Sequence, residues 1–256
     1  MKITICQLHD EPNRLKADWE SLIRHVESNK SDLVLLPEMP FSRWFATSPE
    51  FDPGHWEKAV EHHEIRMEYL YKLAPATVAA SRPVNRVDKR VNEGFLWSAD
   101  DGYRPAHHKY FLPDETGFYE AKWYGRGNPD FTVQSCGSAQ AGFQICTELW
   151  SMEHARKYGE QQADLILNPR ATEVATNEKW LVGGRAASIV SGSFCVSSNR
   201  TGPAENGLEF GGLGWITNPD GEVLATTNSE YPFITLDVDL DLAGKARNTY
   251  PRYAIR

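Results

Sequence analysis

Three residues far apart in the chain are of the types that acyl transfer needs. Glu38 stands in LVLLPEMPF, just beyond an apolar run and a proline that halts it. Lys109 lies in AHHKYFLPDETGFYE, and Cys146 closes the apolar part of AGFQICTELW. A thiol attacks a carbonyl or nitrile carbon well only as thiolate, so it needs a base within hydrogen-bond reach, and Glu38 is the candidate. The oxyanion that follows needs donors. The Lys109 ammonium and the backbone N–H of Thr147 can supply them, each worth about 3–4 kcal/mol when preorganised. Lys109 would also favour the ionised forms of Cys146 and Glu38 by opposite charge. Once ammonia or an amine has left, water activated by the same glutamate would cleave the thioester.

The surrounding pattern predicts elements that bring such residues to strand ends. Apolar runs bounded by turn residues recur at 2–8, 32–37, 76–81, 94–98, 142–146 and 164–168, with the length and β-branched content of buried strands. Helical periodicity fills 13–29, 54–73, 152–162 and 176–191. The alternation predicts an α/β fold, whose ligands gather at strand ends. The stretch around Lys109 reads as a loop, and Cys146 reads as the last residue of a strand leading into a helix. Four further strands at 194–199, 212–217, 221–226 and 233–240, with an NPDG turn between two of them, predict antiparallel members in a mixed sheet. With no linker, repeat or low-complexity segment, residues 1–256 read as one domain.

Composition narrows the partners. A net charge of -8 and a pI near 5.5, without a basic run, disfavour nucleic acid and anionic lipid, so small molecules are expected instead. The opening MKITICQLHDEP carries no secretory apolar core, and no stretch approaches the ~20 apolar residues of a membrane span. Four cysteines (Cys6, Cys136, Cys146, Cys195) without a CxxC pair fit free thiols in a reducing cytoplasm, Cys6 and Cys195 being packing residues. HExxH is absent and His62-His63-Glu64 read as solvent-exposed helix residues, so no metal is expected. Neither GxSxG, GxxxxGK[ST] nor GxGxxG occurs, and no cofactor is implied.

The Glu38, Lys109 and Cys146 segments, in this order, resemble the Glu-Lys-Cys triad of the nitrilase superfamily of carbon–nitrogen hydrolases. DLILNPRAT at 164–172, SSNRTG at 197–202, FGGLGWITNPDGEVLA at 210–225 and RNTYPRY at 247–253 extend the resemblance over nearly the whole chain. It implies a four-layer α-β-β-α sandwich, commonly a homodimer or higher homo-oligomer in which helices of two subunits pack together. KYFLPDETGFYEAKWYGRGN most resembles the N-carbamoylputrescine amidase branch, which places a second active-site glutamate at Glu120, with Glu115 the weaker candidate; an ion pair from Glu120 to Lys122 or Arg126 is the structural alternative. Glu148 stands where relatives commonly have aspartate. Thr147, Trp150, Glu115 and Asn168 are expected around the oxyanion and pocket, and Asn199-Arg200 in structural contacts. Trp44, Trp123, Trp150 and Trp180 either shape the cavity or pack the core. The implied activity is hydrolysis of a small linear amide or N-carbamoyl amine with release of ammonia. Alternatives are a nitrilase acting on a nitrile, and a catalytically silent member that binds a ligand or regulates a partner.

Overall fold

A computed structural model describes residues 1–254. The first apolar run is β1 (Lys2–His9), followed by α1 (Pro12–Asn29) and β2 (Leu33–Leu35). Glu11 caps α1 by accepting from the amides of Asn13 and Arg14, and the helix stops at Lys30 in the left-handed conformation. Leu15, Trp19, Leu22 and Val26 recur at helical spacing and form its buried face.

Next come α2 (Pro53–Met67), β3 (Thr77–Asn85), β4 (Arg90–Ser98), β5 (Gly102–His108) and the single-turn α3 (Glu120–Trp123). The second half runs β6 (Gln134–Cys136), β7 (Ala139–Phe143), α4 (Met152–Glu160), β8 (Leu165–Arg170), α5 (Asn177–Ser191) and β9 (Phe194–Pro203). It closes with β10 (Glu209–Gly211), β11 (Trp215–Thr217), β12 (Val223–Thr226), β13 (Phe233–Asp237) and α6 (Asp241–Ala246).

The strands pair in the order β5-β4-β3-β2-β1-β9-β8-β7-β6, with β13 against β1 and β10 and β11 against β9. β1 and β9 meet only at their C-terminal ends, where Gln7 lies beside Asn199 and Leu8 beside Arg200. The sheet therefore folds over itself there. Ile3, Ile5, Leu33, Leu35 and Ala79 of the first half share one cluster with Phe143, Leu165, Leu167 and Val196 of the second. Their sequence neighbours Val34, Leu36, Val78 and Ala80 face the opposite way, onto Leu15, Trp19 and Leu22 of α1. The period-2 split of β1, β2 and β3 between two cores, with their inner faces against the second half of the chain, makes the α-β-β-α sandwich. Fully burying one such side chain is worth about 1.5–3 kcal/mol.

The antiparallel ending is present: β11 runs against both β9 and β12, and β13 against β1. Three details differ from expectation. β5 is a strand although it holds Gly102, Pro105 and two histidines, because as the last strand of its sheet it pairs with β4 alone, and a proline is tolerated at such an edge. β7 ends at Phe143, so Cys146 is not in the strand but opens a 3-10 turn, Cys146–Trp150. His63 is buried, not exposed: its Nδ1 meets Ala59 O at 2.7 Å and its Nε2 accepts from Phe41 N at 3.2 Å. Among the described residues no helix is long and apolar enough to cross a membrane.

Candidate active site

Glu38 follows β2 by three residues, and its backbone is fixed on both sides. Its N–H donates to Arg170 O at 3.2 Å, and its carbonyl accepts from Arg200 Nε at 3.0 Å. Met39 then turns through a positive φ of 43°, and its carbonyl accepts from the same guanidinium. Arg200 also donates to Ser42 O at 2.9 Å and pairs with buried Asp10 at 2.5 Å. Arg200 is thus a scaffold for the glutamate turn and not an outer contact.

The Glu38 side chain is fully buried, and its two oxygens have unequal surroundings. Oε1 accepts from Asn92 Nδ2 at 2.7 Å and from Lys109 Nζ at 2.8 Å. Oε2 has no hydrogen-bond partner. A buried carboxylate oxygen left free is costly, and it is the lone pair that a base needs. Lys109 leaves the end of β5, its N–H held by Asn92 O at 2.9 Å. Its ammonium also donates to Glu120 Oε1 at 2.8 Å and Oε2 at 2.6 Å. Tyr124 donates its hydroxyl to the same carboxylate. Glu120 therefore pairs with Lys109 and not with Lys122, which takes Asp114 at 3.0 Å.

Two carboxylates around one ammonium leave the cluster one negative charge in excess. Burial pushes the Glu120 carboxyl up to about 7, with Lys109 pulling it down and Glu38 pushing it up. Burial opposes the Lys109 charge, but the fields of Glu120 and Glu38 outweigh it and hold the ammonium above the ordinary lysine range.

Cys146 lies beside this cluster in a positive-φ conformation of 47°, where a non-glycine residue is strained. Burial raises its thiol well above the usual range, the Glu38 charge adds to this and Lys109 opposes it. The turn is stapled to the Lys109 segment by Glu148. That buried carboxylate accepts from Ile145 N at 2.8 Å on one side and Tyr110 N at 2.7 Å on the other, with His107 Nε2 at 2.9 Å from both its oxygens. Thr147 Oγ1 adds a bond to Phe111 O at 2.7 Å. His107-His108, just before Lys109, reads in sequence either as pocket lining or as a supporting hydrogen bond; His107 makes the bond, but nothing local signals its pairing with Glu148 across 41 residues.

Cys146, Thr147 and Glu120 line a cavity of about 200 Å³ whose walls include Phe118, Trp150, Trp180 and Ala171 and whose lining also includes Glu115, Glu173 and Lys179. Its size suits a small substrate. Trp150 and Trp180 contact each other there, ring centroids 5.1 Å apart, whereas Trp44 and Trp123 pack in a separate aromatic core. Asn168, expected in the pocket, instead lies fully buried behind the nucleophile, donating to Gln144 O at 2.5 Å and to Cys146 O at 3.3 Å. A larger groove of about 1060 Å³ along α2 contains none of Glu38, Lys109, Glu120 or Cys146. Among the described residues no group of three or more His, Cys, Asp or Glu side chains could hold a metal ion.

Known proteins are similar to this chain in sequence and in fold. The carbon-nitrogen hydrolase family matches residues 2–248. An N-carbamoylputrescine amidase of Solanum lycopersicum is 24% identical over 267 residues, covering 96% of this chain and 88% of the relative. A carbon-nitrogen hydrolase from Helicobacter pylori G27 superposes with a TM-score of 0.89 at 20% identity, covering 100% of this chain and 95% of that one. A variant of the amidase from Nesterenkonia sp. AN1, carrying acrylamide added at its active-site cysteine, superposes with a TM-score of 0.79 at 18% identity, covering 100% and 98%.

Proposed function

As this chain belongs to the carbon-nitrogen hydrolase family, an amidase-containing family, we propose that it hydrolyses a small linear amide or N-carbamoyl amine through a thioester on Cys146, releasing ammonia. The observation that carries the reading is the asymmetric environment of Glu38: one oxygen is anchored by Asn92 and Lys109, and the other is buried and free in a cluster whose charges act on Cys146.

Glu38 Oε2 takes the Cys146 proton and the thiolate attacks the carbonyl carbon. The oxyanion accepts from the Lys109 ammonium and the Thr147 N–H. Glu38 returns its proton to the leaving nitrogen, the C–N bond breaks and ammonia departs. Glu38, again ionised, removes a proton from water, the hydroxide adds to the acyl carbon, and the thiolate leaves and takes that proton back from Glu38. An amide yields a carboxylic acid; an N-carbamoyl amine yields a carbamate that loses carbon dioxide to give the amine. Glu120, with its carboxyl near neutrality, holds Lys109 in place and exchanges protons with it. Glu115 and Thr147 line the cavity in which the substrate is held.

The four buried free thiols suit a reducing compartment such as the cytoplasm.

The test is ammonia release across ω-amides, N-carbamoyl amines, N-carbamoyl amino acids and nitriles, with Cys146→Ala as the control. The variant should melt within a few degrees of wild type and release no ammonia from any substrate that wild type cleaves. Turnover retained by Cys146→Ala refutes the mechanism, and hydrolysis of nitriles with amides untouched transfers the reading to nitrile hydrolysis.

A further inference from the structure

Arg170, the last residue of β8, is a fully buried cation that no carboxylate neutralises. Its Nε donates to Ser197 Oγ at 2.8 Å, Nη1 to Thr172 Oγ1 at 2.7 Å and Nη2 to Leu213 O at 2.7 Å, all neutral acceptors. The guanidinium lies 4.0 Å from the centre of the Trp215 ring, and none of the ion pairs within 4.0 Å among the described residues involves it. Arg200 is equally buried but has Asp10 at 2.5 Å. Taking a guanidinium out of water costs several kcal/mol, and three neutral hydrogen bonds with a ring face offset this only in part.

The place of Arg170 identifies the missing anion. Its carbonyl holds the N–H of Glu38, and the N–H of the next residue, Ala171, is hydrogen-bonded to Cys146. Through Ser197 and Asn168 its side chain is linked to the Cys146 carbonyl. The other charged or titratable groups around Cys146 are Glu38 beyond β2, Lys109 beyond β5, Glu120 on α3, Glu148 on its own turn with His107 of β5 bound to it, and Glu115, Glu173 and Lys179 along the cavity. Carboxyl groups outnumber lysines there, five against two, so a thiolate has to form in surroundings of excess negative charge. Arg170 reduces that excess.

We propose that Arg170 is a positioning residue whose unpaired charge acts through space as the counter-ion for the negative charge that develops at Cys146, first on sulfur and then on the substrate oxygen. Burial opposes the Arg170 charge, pulling the guanidinium down to about 9, and the field of Cys146 is the larger of the two that favour the charge. The assignment rests on Cys146 being the nucleophile. The guanidinium touches neither sulfur nor substrate, so its effect belongs to the ionisation of the thiol and not to substrate affinity.

The test follows the pH dependence of Cys146 alkylation by iodoacetamide, read by peptide mass spectrometry with Cys136 as internal reference. Arg170→Gln keeps a polar donor and Arg170→Met an apolar stem over Trp215, both without charge; Arg170→Lys keeps the charge. In the neutral variants the alkylation midpoint should rise by about one pH unit, a tenfold slower reaction at neutral pH. Their kcat for an amide should fall by a similar factor with KM little changed, while Arg170→Lys stays within about threefold of wild type. Folded neutral variants that titrate like wild type overturn the proposal, as does a lysine variant that titrates like the neutral ones. If neither neutral variant melts cooperatively, the lysine variant decides: a wild-type midpoint supports the counter-ion role and a raised one ends it. Failure of the nucleophile assignment reads differently, as wild-type Cys146 alkylating no faster than Cys136, and it removes this proposal as well.

Discussion

Replacing Lys109 by methionine isolates the electrostatic claim on which the site rests. The substitution keeps the length of the stem and deletes the ammonium that donates to Glu38 at 2.8 Å and to Glu120 at 2.8 and 2.6 Å. Two carboxylates, neither more than 1% exposed, then face each other without a cation. Removing one partner of a buried pair costs about 3–5 kcal/mol. For a chain of this size each kcal/mol moves Tm by about 2–4 °C, so at pH 8 the melt should fall by roughly 6–20 °C. The pH dependence gives the sharper signature. In the wild type the Glu120 pKa is about 7 in the folded protein against 4.5 unfolded, so the native state holds the extra proton between those values. The stability this contributes is complete below 4.5 and is lost as pH rises through 7. Without the pull of Lys109 the Glu120 carboxyl moves higher still, and the loss on raising pH is larger. The difference between variant and wild type should therefore be wide at pH 8 and narrow near pH 5. Urea denaturation at the two pH values measures it. A difference under about 1 kcal/mol at pH 8, or an equal difference at both, refutes the description of Lys109 as the shared counter-ion.

Two further substitutions test the scaffold. Glu148→Gln offers one acceptor oxygen where the carboxylate serves Ile145 N, Tyr110 N and His107, so one backbone donor faces an amide NH₂. Such a misplacement should lower kcat by about 10–100-fold with KM nearly unchanged, in steady-state kinetics on whichever amide is turned over. Gly142→Ala places a methyl carbon 2.5 Å from the Tyr158 ring, whose hydroxyl donates to Phe143 O at 2.6 Å. Overpacking there should cost about 1–3 kcal/mol, seen as a lower urea midpoint with an unchanged m value.

Several strained or unsatisfied groups lie at the site. Glu38 Oε2 is an unpartnered oxygen, Met39 and Cys146 have positive φ, and Arg170 has no countercharge. Each feature costs stability on its own, and the two sheets packed beneath supply the burial that offsets them.

The sequence by itself determined the class of chemistry and most of the elements. Apolar runs at strand length and helical spacing over α1, α4 and α5 are local patterns that local physics reads directly. Glu38, Lys109, Cys146 and Glu120 stood out because each sits in a recognisable stretch of chain. What only the tertiary structure decided is non-local. β5 carries no apolar run and exists because β4 offers it a ladder. The end of β7 before Cys146, and the left-handed turn there, follow from Glu148 reaching back to Ile145 while bound to Tyr110. His63 reads as a surface residue until Phe41 and Ala59 close around it. Arg170 and Arg200 look alike along the chain, and only packing gives one an aspartate and the other none. Side-chain periodicity is written within a few residues, whereas the partner of a buried charge is chosen by which distant strands meet, and that choice sets the electrostatics of the site.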